Sequence, residues 1–123
     1  WWKQYVKVSL IPLIELFANK GISVEAHMQN SLMEFKNGYP HRLILRDMEG
    51  ISIVPEMIED DSSISEDSTV WFSQKDAWTF LKYYLVINHI AHLISAIARV
   101  TVIEESELWQ AGAAVRKLRP KLN

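Results

Sequence analysis

Two short runs, Glu25-Ala26-His27-Met28-Gln29-Asn30 and Arg46-Asp47-Met48-Glu49-Gly50, hold the side chains of this sequence best suited to joint chemistry. Asn30 and Asp47 each offer a hard oxygen ligand, and Glu25 adds a carboxylate as ligand or base. Magnesium prefers such oxygens and is often held by one or two protein groups plus nucleotide phosphates. His27 and Arg46 supply donors to anionic oxygen, Arg bidentately toward phosphate or carboxylate. The two runs can serve one cation only if the chain between them folds back on itself.

The intervening residues are patterned to do that. Ser31-Leu32-Met33-Glu34-Phe35 alternates, Asn37-Gly38 is a strong turn dipeptide, and Arg42-Leu43-Ile44-Leu45 continues as a second strand. Asn30 stands at the entrance of this hairpin and Asp47 at its exit, so the two are expected to be spatial neighbours. Kinase-like enzymes use a related layout, with an acid five positions before a metal-binding Asn and a metal-binding Asp after a hairpin. Glu25, Asn30 and Asp47 occupy those positions. Pattern alone leaves two readings open: an ATP and Mg2+ site, or an ordinary hairpin with polar ends.

The rest of the chain supplies the frame. Tyr5 to Lys20 carries Val8, Ile11, Leu13, Ile14, Leu16 and Phe17 at helical spacing, with Pro12 marking a first turn or a kink and Gly21 a C-terminal cap. Ile22 to Ala26 is a short, partly β-branched stretch. Pro55 to Thr69, with Glu56, Glu59, Asp60, Asp61, Glu66 and Asp67 among serines, reads as a surface loop. Ser73 caps a helix, with Asp76 in the place of a capping-box partner. That helix runs to about Val100, is apolar nearly all round, and is predicted to be buried on most sides. A last helix, Glu104 to Leu118, has acids at its start, Arg116, Lys117 and Arg119 at its end, and Pro120 as its stop. The expected fold is α+β: one helix-rich domain with a small antiparallel hairpin or sheet packed on helices. Residues 5–54 carry the motif, 55–70 form the acidic loop and 71–123 the helical part.

Composition narrows the function classes. The chain has 123 residues, 49% of them apolar, and a net charge of -2, which suits one domain with a real core and gives no electrostatic case for nucleic acid. It has no cysteine, which excludes a disulfide scaffold, a thiolate-held iron–sulfur cluster and a Cys nucleophile from this chain. The longest apolar run, Tyr83 to Val100, is broken by Asn88, His89, His92 and Arg99, so no membrane span is expected. The chain opens Trp1-Trp2 with no initiator Met, directly into a helical pattern, and reads as a fragment of a longer protein.

Other polar and aromatic residues have plainer readings. His89 and His92 lie three apart, but no nearby acid completes a ligand set, and a hydrogen-bonded core histidine is the favoured reading. Asn88 is expected to satisfy backbone groups between helices, and His41 to be exposed beside a turn. Trp71, Trp78, Tyr83 and Tyr84 read as core or interface aromatics. Trp1, Trp2 and Tyr5 are expected to be exposed remnants of an interdomain contact.

The stretch Gly21-Ile22-Ser23-Val24-Glu25-Ala26-His27-Met28-Gln29-Asn30, with Leu43-Ile44-Leu45-Arg46-Asp47-Met48-Glu49-Gly50, resembles the siderophore synthetases that work independently of nonribosomal peptide synthetases, the aerobactin synthetase (IucA/IucC) family. The likeness extends over the preceding helix, the Asn88-His89 pair and the closing Leu108-Trp109 helix, and it matches the C-terminal part of a family member. It implies a palm or thumb piece of a cupped-hand enzyme that binds ATP and Mg2+ and activates a carboxylate, often citrate, as the acyl-adenylate. A polyamine, hydroxamate or amino-acid-like nucleophile then attacks. By motif position Asn30 and Asp47 are similar to metal ligands with Glu25 beside them, and His27 and Gln29 to nucleotide and carboxylate contacts. His27, Glu25 and Arg46 are the catalytic candidates, with Arg46 and Glu49 able to act by orienting the site. The resemblance further implies a missing N-terminal half, an inactive isolated fragment, a cytoplasmic location and a parent that is a candidate homodimer. A kinase-like phosphotransferase and a non-catalytic helical interaction module are the competing readings. Ferric-siderophore reduction is set aside because the cluster-binding cysteines are lacking.

Overall fold

The first helix, α1, runs Trp2–Lys20 in the computed structural model, which describes residues 1–58 and 64–115. Its buried residues Trp2, Tyr5 with Val6, Ser9, Leu13 and Phe17 recur every three or four positions, the stripe expected of a helix packed along one side, and Ile11 is buried beside that stripe. Pro12 lies inside the helix, where its ring nitrogen cannot donate to the preceding turn. Gly21 ends the helix at φ 67°, and its N–H donates to the Phe17 carbonyl at 2.8 Å. A Cβ at Gly21 would also stand 2.8 Å from Met57 Cβ, so turn conformation and close packing both require glycine there.

Two small antiparallel sheets follow. β1 (Ile22–Ser23) pairs with β4 (Ser52–Ile53). β2 (Ser31–Lys36) pairs with β3 (Tyr39–Leu45) through a two-residue turn in which Asn37 (φ 53°) and Gly38 (φ 80°) are both left-handed, as such hairpins demand. A register shift after Glu34 sets Phe35 opposite the buried Pro40. This bulge accommodates a residue with no amide hydrogen for the ladder. The second sheet, β1–β4, escapes sequence reading because each strand is two residues long.

A continuous helix spans Gln74–Val100. It starts as α2 (Gln74–Lys82), winds as a π-helix over Tyr83–Ala91, and ends as α3 (His92–Val100). Ser73 Oγ accepts from the Asp76 N–H at 3.1 Å, the expected N-cap. α4 (Glu105–Val115) packs back on α1, and Trp2 Nε1 donates to the Leu108 carbonyl at 2.8 Å. The core gathers Val6, Phe17, Val24, Val54, Leu81, Leu85, Ile94 and Leu108 from all these elements. The α+β, helix-rich architecture agrees with expectation.

Two local expectations are corrected. The long helix is not buried on most sides: Phe80, Tyr83 and Ile87 are exposed, Ile87 by 56%. Its apolar residues outnumber what this small core can cover. Trp2 and Tyr5 are buried, with only Trp1 exposed, because α4 covers the start of α1. The first helix begins at Trp2, as the helical pattern at the start of the chain leads one to expect. The long helix has the length and composition to cross a bilayer, yet Ala77, Leu81, Leu85, Ile90 and Ile94 are committed to the core. Glu59, Asp60 and Asp61 of the acidic stretch, and Arg116, Lys117, Arg119 and Pro120 beyond α4, lie outside the described residues.

Candidate functional site

The chain leaves β1 through Val24 and passes in front of the long helix. Ala26 is fully buried, while its neighbours Glu25 and His27 are half-buried and face outward. The Glu25 side chain lies over Gly50, where a Cβ would fall 2.2 Å from Glu25 Cδ. Gly50 is therefore the opening that seats this carboxylate. Tyr84, on the long helix, stands near Glu25, and burial first and then this carboxylate raise its phenol above the usual range. His27 Nε2 stands 4.0 Å from Glu25 Oε2, and its ring lies 5.8 Å from that of Tyr84.

A single 3-10 turn, Met28–Asn30, leads from His27 into β2. The His27 carbonyl closes it by accepting the Asn30 N–H at 3.1 Å and the Ser31 hydroxyl at 2.9 Å. Asn30 is buried, and its Nδ2 donates to the Glu25 carbonyl at 3.3 Å. Across the hairpin the Arg46 N–H donates to the Asn30 carbonyl at 2.9 Å, which sets Asp47 one residue beyond Asn30. The Arg46 guanidinium is engaged as well: Nε and Nη2 reach the Gln29 carbonyl at 3.1 and 2.9 Å. Arg46 thus holds the turn that carries Gln29 and Asn30. Asp47 itself is left-handed (φ 60°), a conformation short Asp side chains tolerate, and its Oδ1 accepts from the Glu49 N–H at 3.4 Å.

These residues divide between two openings. His27, Met28 and Gln29 form one wall of a cleft of about 440 Å³, and Asn88 and His92 form the facing wall. Glu25, Arg46, Asp47 and Gly50 line a separate crevice too tight to admit a water molecule. Asn30, buried at the base of the hairpin, lines neither of them. Sequence reading missed Asn88, His92 and Tyr84 as site residues. The available signal was the presence of polar side chains inside an otherwise apolar helical run.

The donor set suits magnesium better than a caged metal. Asn30 is buried with its Nδ2 engaged, which leaves its amide oxygen as the atom able to ligate, and Asp47 has an exposed carboxylate. Among the described residues no cluster of three His, Cys, Asp or Glu could hold a metal. A structural zinc site would need a closed ligand set, whereas magnesium takes one or two protein oxygens and completes its shell with phosphate and water.

His89 behaves as a core histidine. It is 1% exposed, its Nδ1 pairs with the Ala26 carbonyl at 2.8 Å, and its Nε2 pairs with the Tyr5 hydroxyl. A carbonyl only accepts, so Nδ1 carries the proton and Nε2 accepts from Tyr5. Burial pushes the His89 pKa down, against the pull of the Ala26 bond, and burial pushes Tyr5 up to about 12.

Residues 1–118 match the family described as ferric iron reductase FhuF-like transporter. The chain is 41% identical over 114 residues to the L-2,3-diaminopropanoate–citrate ligase of Staphylococcus aureus, covering 89% of this chain and 20% of that protein. It is 30% identical over 112 residues to the spermidine-citrate ligase of Bacillus anthracis, covering 88% and 19%. The chain thus spans about a fifth of the length of the curated relatives it matches. Its fold superimposes on ATP-bound aerobactin synthetase IucA from a hypervirulent Klebsiella pneumoniae with a TM-score of 0.84 at 25% identity, covering 94% of this chain and 21% of that one. The petrobactin biosynthesis protein AsbB of Bacillus anthracis has the same fold, with a TM-score of 0.82 at 19% identity and coverage of 93% and 22%. The matching family's description names a reductase, yet this chain has no cysteine with which to hold a thiolate-bound cluster.

Proposed function

The chain belongs to the FhuF-like family and, within it, stands with the siderophore synthetases; from that premise we propose that it is the C-terminal, ATP- and Mg2+-handling piece of a cytoplasmic enzyme that joins citrate or a citrate-like acid to an amine or hydroxyl. In this reading a carboxylate oxygen of the acid attacks the α-phosphorus of ATP, the bond to the β-phosphate breaks, and pyrophosphate leaves. The acceptor nitrogen or oxygen then attacks the acyl carbon, loses its proton, and displaces AMP. The missing part of the enzyme supplies further contacts to phosphates and substrates, so the isolated chain is inactive.

Each residue has a task suited to its surroundings. His27 and Gln29, open to the larger cleft, donate to the phosphate and carboxylate oxygens that must approach each other against their charge. Asn30 and Asp47 are the residues that would hold magnesium, with Glu25 beside them. When bound, the ion offsets phosphate charge and the charge that grows in the transition state. Arg46 orients Gln29 and Asn30 through the carbonyl it grips. The observation that supports the reading is the pairing of the hairpin ends, Arg46 N–H to Asn30 carbonyl, which brings the backbones of the two motif runs together.

The test is product analysis on the intact protein with citrate and a panel of amines. Synthetase action releases pyrophosphate and AMP, and Asp47→Ala abolishes the release. Release of ADP and phosphate would identify a kinase-like transfer, and magnesium-independent turnover unaffected by Asp47→Ala would sink the assignment.

A further inference from the structure

We propose that Tyr5 and His89 are positioning residues for this site: a buried chain of two hydrogen bonds, Tyr5 hydroxyl to His89 Nε2 and His89 Nδ1–H to the Ala26 carbonyl, sets the segment that presents Glu25 and His27. The proposal deepens the synthetase reading and rests on it for the activity measurements.

The observations come from three elements. Ala26 is the fully buried residue between the two outward-facing candidates, so its peptide plane decides where both side chains project. Its carbonyl is held at 2.8 Å by a histidine that is 1% exposed. That histidine is oriented from behind by Tyr5, which is itself buried on α1. The π-helical winding of Tyr83–Ala91 brings this about. A π-turn holds more residues than an α-turn, so the buried positions run Leu81, Leu85, then His89 and Ile90, then Ile94. His89 thereby faces the core beneath Ala26, while its neighbours Asn88 and His92 face the cleft. One segment of helix thus supports the site from below and lines it from the side.

A histidine that only fills core space behaves differently from one that positions a backbone carbonyl, and two substitutions separate the roles. Asn at position 89 places its amide nitrogen close to where Nδ1 lies and keeps the donor to Ala26. Gln reaches past it toward Tyr5 and does not. In the intact enzyme, His89→Gln is expected to lower kcat for pyrophosphate release about 10- to 100-fold with KM for ATP nearly unchanged, the scale of a misplaced catalytic group. His89→Asn is expected to keep kcat within about threefold, because the donor to the site survives. If the two variants lose activity only in step with their melting temperatures, His89 is structural and the proposal fails. Nitrogen NMR on histidine-labelled protein gives a second readout independent of activity: the His89 proton must sit on Nδ1, and an Nε2–H tautomer overturns the proposal. Asp47→Ala is the control that separates the two ideas. Activity surviving Asp47→Ala removes the synthetase reading and leaves the tautomer result standing. Loss with Asp47→Ala but equal kcat for His89→Gln and His89→Asn removes only the positioning role.

Discussion

Replacing Gly50 with alanine should expel the Glu25 carboxylate from its seat while leaving the fold in place. The added Cβ would lie 2.2 Å from Glu25 Cδ, 2.3 Å from Cγ and 2.7 Å from Oε1. Carbon atoms rest about 3.5–4.0 Å apart, so the side chain must retreat by roughly 1.3 Å or more. The obstacle is the flexible end of a half-exposed side chain, and Gly50 does not adopt a positive φ, so the backbone need not move. Leaving the rotamer well costs about 0.5–1.5 kcal/mol. Losing the polar interaction with Tyr84 at this partly exposed position adds about 0.5–1 kcal/mol. The sum, roughly 1–2.5 kcal/mol, lowers the melting temperature of a domain this size by about 4–12 °C. A double-mutant cycle isolates the effect. In a Glu25→Ala background the three nearest obstacles to the new Cβ are gone, so Gly50→Ala should then cost much less. The expected coupling is about 1 kcal/mol or more. Additive costs, within about 0.3 kcal/mol, would refute the claim that Gly50 exists to seat Glu25. Ultraviolet titration gives an independent check: Gly50→Ala should bring the Tyr84 phenol pKa down toward the ordinary tyrosine value, because one cause of its elevation leaves.

Stability should decline at both ends of the pH scale, for linked reasons. His89 is depressed in the folded state, so its contribution is complete above about pH 6.5 and is lost as pH falls below that value, where the unfolded chain takes up a proton the core refuses. Tyr5 is raised to about 12, so its contribution is complete below about pH 10 and is lost as pH climbs from there toward 12. Melting temperatures measured across pH should lose the acid limb in His89→Asn and the alkaline limb in Tyr5→Phe; a curve unchanged in both would contradict the buried pair. Ser73→Ala removes the oxygen that accepts the Asp76 N–H and should cost about 1 kcal/mol, with Ser73→Asp restoring most of it. Equal melting of wild type and Ser73→Ala would show that the long helix does not depend on its cap.

The elements that sequence reading placed well are those whose signals are local. Asn37-Gly38 needed no tertiary information, because two consecutive left-handed residues are affordable there and in few other dipeptides. Gly21 and Ser73 marked helix boundaries by the same kind of backbone chemistry. On α1 the helix was legible from its apolar spacing, but its buried stripe was not: Val8, Ile14 and Leu16 are only half-buried, while Trp2, Tyr5 and Ser9 join the core. Elements set by distant partners were hidden. β1 and β4 are two residues each and pair across most of the motif, so neither carries a pattern of its own.

What the sequence determines by itself is the set of chemical groups and the fold-back that joins them: Glu25, His27, Gln29 and Asn30 before the hairpin, Arg46 and Asp47 after it. Only the tertiary structure decides which of them face an opening and which are held from behind. The long helix shows why. Over Tyr83–Ala91 every residue but Asn88 and His89 is apolar or aromatic, so periodicity there cannot say which side is the core. The π-helical turn then shifts the buried line by a residue, sending His89 under Ala26 and Asn88 and His92 into the cleft. That choice depends on which partner surface offers a carbonyl and a hydroxyl at the right distance, and those lie 63 and 84 residues away along the chain.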